Sequence, residues 1–572
     1  MKNIDNQSTS RRPGDWNVNK AVVIIILCYV LIYCIGVVIA QRNFIFDDSF
    51  ITYRYSKNLA QGYGITWNPN EHPVEGYTNY LLVVVLAPFI RLGIAPLLVT
   101  RVLSLVCAGL MFFLLVRISR ENYQTQTGLD LFIPAFFLLV SNTIPLSMVG
   151  LETVLFTTTL FFSFILGGKF LKTEQMRFAY FFGFFAFIAF LFRPEALLLL
   201  ASFGCVVVIN CWRKSLPWKV ALRFLKAITI SFVIPILVYL IWKYVHFGTI
   251  IPNSFLLKVP GSGLFSPNGL ASVLSFMRTN FIIILTGLFS FAIVRNDGWQ
   301  RAVAVLFCIL YSLFYVRVDT LMDIYHRFMY PSSIFLMFLS IPTFKFVFQY
   351  IHFLTWNGYL KVTSAVMFIF LFTWNPLRET MVNIGDIVRG QDRYSGSNVL
   401  MQREYRAALA LRQYPNILVT RIAFGDTGVI PFYTGALSLD TVGLNDRFIA
   451  RERDLRKLTD YFFNQQPDLI LHPANQNFSW IKFGHGHMGN LLLWSTDVRW
   501  DGYAYIGTIK TDNAYDIHIF LRRDWPDFAQ FKSFLQDYVT DGTYAEFPIA
   551  VGSYVPTPET QPVWIFLPAA QR

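Results

Sequence analysis

The sequence predicts a polytopic α-helical membrane protein with about 11 transmembrane helices, additional interfacial helices and a C-terminal α/β domain outside the membrane. Three observations predict it. Of 572 residues, 54% are hydrophobic and only 15% charged, whereas soluble domains carry about a quarter charged residues. Apolar runs that cross or nearly cross roughly 30 Å of hydrocarbon recur near residues 21–40, 97–116, 131–148, 153–170, 178–192, 196–212, 226–246, 281–295, 301–318, 329–349 and 361–376. Beyond Asn375 no run is long enough to span, and short alternating segments replace them.

Residues 1–20 form a polar tail, with Arg11, Arg12 and Lys20 placing it on the cytoplasmic side. The run that follows is too long for a signal peptide and lacks a small-residue cleavage site, so it reads as a retained first helix. Residues 21–376 make the bundle, interrupted after the first span by a polar loop, residues 42–80. The apolar piece 80–90 is short, ends at Arg91 and is followed by Gly93 and Pro96. Charge decides its path: if it does not cross, Arg117 and Arg120, residues 169–177, 213–226 and 295–301, and the connection 345–361 all face the cytoplasm. It is therefore read as interfacial or re-entrant. One extracytoplasmic side then collects the Asp47 loop, the GLET turn, the RPE turn, the FGTIIPNSFLLK loop, the HRFMYP turn and residues 377–572. Within 377–572, NILVTRIAF, ALSLD, DLILH, YAYIGTIK and DIHIFLR read as strands, and residues 446–464 have helical spacing with a charged face.

The formal charge of +13 sits in short loops between apolar runs. It marks topology and contact with membrane lipid, not nucleic acid. All six cysteines fall in or beside apolar runs, which leaves no disulfide framework and no CxxC metal site. No internal repeat is present.

The densest polar chemistry is in FIFDDSFITYRYSKNLAQGYGITWNPNEHPVEGYTNY, residues 44–80. Charge at a membrane surface is costly unless used or paired. Adjacent carboxylates Asp47 and Asp48 raise one another's pKa; the pair could serve as a general base or hold a divalent cation, or could simply cap the helix that follows. Arg54, Trp67, Glu75, Tyr77 and Asn79 surround them with the aromatic faces and fixed polar groups that suit a sugar, a composition that aromatic belts also produce. Glu152 in VGLETVLF and Arg193 with Glu195 in FRPEALL put charge at the ends of apolar helices, either as ligand contacts or as a structural ion-pair set. Arg193, Lys258, His326 and Arg327 are cations suited to gripping a donor phosphate, or, for Lys258, His326 and Arg327, to snorkelling. The Gly-rich IAFGDTGVIPFYTG follows a strand as a phosphate loop would, but without GxGxxG or GxxxxGK spacing it reads as a plain strand-to-turn boundary.

The loop 44–80, together with GLETVLF, FRPEALL, FGTIIPNSFLLK, HRFMYP and FGDTGVIPFYTGALSLDTVGLND, resembles the mycobacterial terminal β-(1→2) arabinofuranosyltransferases (AftB) of the GT-C glycosyltransferase superfamily. The resemblance implies a GT-C type bundle in the bacterial cytoplasmic (inner) membrane, a polyprenyl-phosphate-linked sugar donor such as a decaprenyl-phosphoryl arabinofuranose, and an extracytoplasmic, periplasmic active site. It implies that Asp47 and Asp48 are the acidic pair, one of them the base, and that Arg327 is the arginine before the aromatic-apolar-Pro turn. Members often carry Gly-Gly-Asp shortly before that arginine; this chain reads RVDTLMDIYHR, with Asp319 and Asp323 displaced. The acceptor is open between a glycan, lipopolysaccharide and a pilin-like protein. Whether a divalent cation sits at the acidic pair Asp47 and Asp48 is left open, and no other cofactor is implied. The alternatives are transfer of another lipid-linked sugar, or a flippase, which would place its acids and bases near the midplane and show repeat symmetry.

Overall fold

The computed structural model describes residues 13–123, 129–258, 265–293, 298–320, 322–353, 404–474, 497–509, 516–540 and 549–551. The chain divides into two compact units that cut across the sequence. One comprises Met1–Asn43, Thr100–Ile236 and Gly263–Gly390; the other comprises Phe44–Val99, Leu237–Ser262 and Gln391–Arg572.

Among the described residues, six helices are long and apolar enough to cross a membrane: Pro96–Glu121, Thr153–Thr173, Pro194–Trp212, Trp218–Phe247, Gly298–Arg317 and Tyr330–Val347. Two bent pairs bring the total to at most eight: Leu131–Val140 with Thr143–Val149, bent by 51°, and Pro267–Thr279 with Phe281–Ile293, bent by 70°. The protein is therefore multi-pass, with fewer spans shown than the 11 expected. Three expected spans explain most of the difference. Residues 361–376 lie outside the described residues, while 21–40 and 178–192 coincide with the shorter apolar helices Leu27–Ala40 and Met176–Phe192.

The first break is built from hydroxyls and a left-handed residue. Asn142 sits at φ 57°, Ser141 Oγ donates to the Phe137 carbonyl at 2.5 Å, and Thr143 shares a 2.9 Å hydrogen bond with Tyr330. These bonds satisfy polar groups that a kink inside an apolar layer exposes. In the same unit, Gly167 faces Phe182 and Phe203, and Gly168 faces Gln300, with no room for a Cβ at either position. Small residues here let the helix Thr153–Thr173 sit deep in its bundle.

The second unit holds a six-stranded mixed sheet in the order β2-β1-β3-β5-β4-β6. Its strands are β1 (Arg421–Phe424), β2 (Leu437–Asp440), β3 (Leu469–Ala474), β4 (Tyr503–Ile509), β5 (Asp516–Arg522) and β6 (Ile549–Val551). β1 pairs in parallel with β2 and β3, and the remaining pairings are antiparallel. All five expected strands are present. The segment expected to be helical over 446–464 is two helices, Arg447–Arg451 and Leu455–Asn464, because the Asp454 side chain caps the second by accepting from Arg456 N and Lys457 N.

The same unit contains the helices Asp47–Ala60 and Tyr80–Arg91. At 1.5 Å per residue the second is about 18 Å long, too short to cross as a straight helix. Its Leu82, Val83, Leu86 and Ala87 are buried. The helix Asp47–Ala60 is unusual in burying polar as well as apolar positions, including Asp47, Ser49, Thr52, Arg54, Ser56 and Asn58. A polar helix without a solvent face requires a partner for each buried group, and those partners define the candidate site.

Candidate functional site

Asp47 opens the polar helix and is 5% exposed. Its carboxylate accepts from the backbone N–H of Gly428 at 3.1 and 2.9 Å and of Val429 at 2.6 Å. Those two N–H groups belong to the turn between β1 and the short helix Val429–Thr434, the IAFGDTGVIPFYTG segment. The glycine-rich turn is thus an anion cradle whose anion is the protein's own carboxylate. Glycine is required at 428 because an added Cβ would collide with the Asp47 carbonyl and carboxyl.

Two further acids crowd Asp47. Burial, then Asp426, pushes its pKa well above the usual carboxylate range; the Val429 hydrogen bond pulls back, Asp48 raises it further, and Gly428 pulls back again. Glu404, at the start of helix 404–411, is 1% exposed, and neither of its carboxyl oxygens has a hydrogen-bond partner among the described residues. Burial followed by Asp426 and Asp47 raises it as well. Neither Asp426 nor Glu404 was legible as a site residue: Asp426 sat inside a turn read as plain, and nothing in the pattern around Glu404 singles it out. Asp48, next to Asp47, is only half-buried.

Arg54 is spent on structure. Its guanidinium donates to the Trp67 carbonyl (2.9 Å), the Pro431 carbonyl (2.5 Å), Asn68 Oδ1 (2.8 Å) and the Ala436 carbonyl (2.8 Å), and lies 4.6 Å over the Trp67 ring. Burial pushes its pKa down to about 9. Trp67 and Tyr77 belong to one apolar cluster with Ile51, Tyr55, Val83 and Phe247. Asn79 exchanges hydrogen bonds with Thr52 at 3.1 and 3.0 Å. Glu75 is ion-paired with Lys243 at 2.8 Å. These four residues, expected to face a sugar, lie in the core of the unit, within 9% exposure. Lys258 is half-buried at the end of the helix Asn253–Lys258, in the same unit.

In the first unit Arg193, Glu152 and Glu195 come together. Arg193 pairs with Glu152 at 3.1 Å and Glu195 at 2.9 Å, and Tyr315 bridges by accepting from Arg193 at 2.9 Å and donating to Glu195 at 2.5 Å. The set is buried, and its ion pairs hold charge at a helix end, although Glu195 Oε2 has no hydrogen-bond partner among the described residues. Arg327 is 4% exposed and follows Tyr325 and His326, which stand at φ 54° and 56°. Two successive non-glycine residues in the left-handed region are a strained turn of the kind that concentrates at functional sites. Asp323 shapes that turn: it accepts from the Phe328 N–H at 3.1 Å and from Ser272, and lies 3.8 Å from His326. Burial alone would raise its carboxyl, but the bonds from His326, Ser272 and Phe328 outweigh burial and hold it below the ordinary value.

Among the described residues no three His, Cys, Asp or Glu side chains are placed to hold a metal ion. Both Asp47 oxygens accept backbone N–H bonds.

The fold is similar to that of a solved membrane protein, ArnT. The solved structure of ArnT from Cupriavidus metallidurans bound to undecaprenyl phosphate matches at TM-score 0.57 and 10% identity, over 89% of this chain and 98% of that one. ArnT from the same organism in the apo state matches at TM-score 0.54 and 11% identity, over 88% and 98%. At such identities the likeness is one of fold. Residues 397–542 match a family model described as a domain of unknown function (DUF8728). No curated protein sequence matches the chain.

Proposed function

We propose that the chain is a glycosyltransferase that takes a sugar from a polyprenyl-phosphate donor, arabinofuranose in the first instance, and delivers it to a hydroxyl of an extracytoplasmic glycan or protein. The observation that carries this reading is the pair Asp47–Asp48 in a GT-C fold: one carboxylate buried and pinned by Gly428 and Val429, its neighbour half-exposed at the same helix end. A general base must come within about 3 Å of the proton it takes. Asp47 is enclosed, so Asp48 takes the base and Asp47 positions it. In the transfer, the acceptor oxygen bonds to the anomeric carbon, its proton passes to Asp48, and the bond from the anomeric carbon to the phosphate oxygen breaks. The electron pair leaves on polyprenyl phosphate, whose charge needs a cation. Lys258, in the same unit as Asp48, is assigned that role, whereas Arg193, already in two ion pairs, is assigned to the framework.

The test is transfer by the purified protein supplied with a panel of polyprenyl-phosphate sugars. The expected result is sugar-dependent release of polyprenyl phosphate, greatest with arabinofuranose and lost in Asp48→Asn. Turnover of a hexosyl donor alone would replace the pentose assignment, and turnover of none would sink the transferase reading.

A further inference from the structure

A cavity of about 550 Å³ lies within the second unit, its lining including Glu71, Asp446, Arg447, Phe448, Arg451 and Tyr461, and Asp47 and Asp48 take no part in it. Its volume is that of a small-ligand site. Three carboxylates line it, and each is already engaged. Asp446 accepts from Phe448 N, Ile449 N and the Tyr461 hydroxyl. Glu452 accepts from Arg453 N and Asp454 N, and Glu71 accepts from Asn68 and Arg421. The cations are in the opposite state. Arg447 and Arg451 project from one short helix, four residues apart, and among the described residues neither guanidinium has a hydrogen bond or ion pair. Like charges at that spacing repel, an arrangement that an anion in the cavity would relieve. Beside them Phe448 stacks on Tyr461, with ring centroids 4.4 Å apart at 23°, and Phe448 remains 37% exposed. An open aromatic face next to two unengaged planar guanidiniums suits a saccharide that carries a carboxylate or a phosphate.

We infer that this cavity binds an anionic saccharide, the acceptor glycan of the proposed transferase; the inference rests on that reading for the word acceptor but not for the binding. Full-length protein in nanodiscs is titrated with fluorescent trigalacturonate, with a 6-phosphorylated maltotriose, with neutral maltotriose and with inorganic phosphate. The two charged sugars are expected to bind more tightly than maltotriose, and whichever binds better identifies the source of the charge. Arg447→Gln with Arg451→Gln should weaken the charged sugars by about tenfold or more, and Lys at both positions should restore part of the loss. Phe448→Ser should weaken the saccharides while leaving inorganic phosphate unchanged. Equal binding of charged and neutral sugars, or no effect of the double Gln variant, overturns the inference. So does inorganic phosphate binding as tightly as the charged sugars. The assay contains no donor. Protein that discriminates charged sugars yet transfers nothing refutes the transferase reading alone, and an active transferase that does not discriminate refutes the cavity alone.

Discussion

Gly428→Ala isolates the cradle from the chemistry it supports. Gly428 has φ −91° and ψ −75°, on the side of the map open to alanine, so the substitution acts through space and not through backbone strain. The new Cβ would collide with the Asp47 carbonyl and carboxyl, and one side must move. Overpacking costs about 1–3 kcal/mol. Losing one of the two charge-assisted N–H bonds costs about 1.5–3 kcal/mol more, so about 2.5–6 kcal/mol in total. Because Asp47 and Asp48 share a helix end, displacing the first displaces the second, and a misplacement of about 1 Å in a reacting group costs about 10²-fold in rate. The assay is polyprenyl-phosphate release, read beside thermal unfolding of the same preparation. Gly428→Ala protein that melts and turns over as the wild type does would refute the cradle argument.

Three other substitutions separate the roles. Asp48→Asn should lower turnover by about 10²–10⁴-fold while leaving the melting temperature unchanged; retained turnover would remove Asp48 as base. Arg54→Lys should destabilise by about 2–5 kcal/mol, seen in thermal unfolding, because a single ammonium cannot reach the Trp67, Pro431 and Ala436 carbonyls and Asn68 together. Burial pushes the Glu75 carboxyl up to about 7 in spite of Lys243, so folding takes up a proton there. Stability from Glu75 is therefore complete below its ordinary value of 4.5 and is lost as pH rises through about 7, a swing of about 3 kcal/mol. Glu75→Gln should flatten the melting temperature between about pH 4.5 and pH 8; an unchanged profile would contradict this.

Local signals were legible and long-range ones were not. β1 to β5 announced themselves by apolar alternation between turn residues, and the helix Tyr80–Arg91 by its shortness and flanks. The spans near 131–148 and 281–295 could not be seen as parts of bent pairs, because hydropathy does not register Asn142 in the left-handed region or the 70° break before Phe281. Asp47 was legible as chemistry and IAFGDTGVIPFYTG as a phosphate-like loop. Their pairing was not legible, since 381 positions separate Asp47 from Gly428. The missing GxGxxG spacing was a sound reason to deny the turn a phosphate, and it carried no information about an anion supplied by the chain itself.

The aromatic residues of residues 44–80 pose the converse problem. An aromatic ring stacks on a sugar only with an open face, and Trp67 and Tyr77 have none to offer. Trp67 carries the Arg54 guanidinium at 4.6 Å, while Tyr77 packs edge-on to Tyr55 at 4.7 Å and to Phe247 at 6.4 Å. Their task is to hold a polar helix in an apolar setting, so that Asp47 arrives at Gly428 with no freedom left to lose. Open rings in the same unit are found elsewhere, at Tyr63, 54% exposed, and Phe448, 37% exposed. Under the proposed function, sugar recognition falls to the arginine-lined cavity beside Phe448, and the aromatic density of the loop is framework around the helix that carries Asp47.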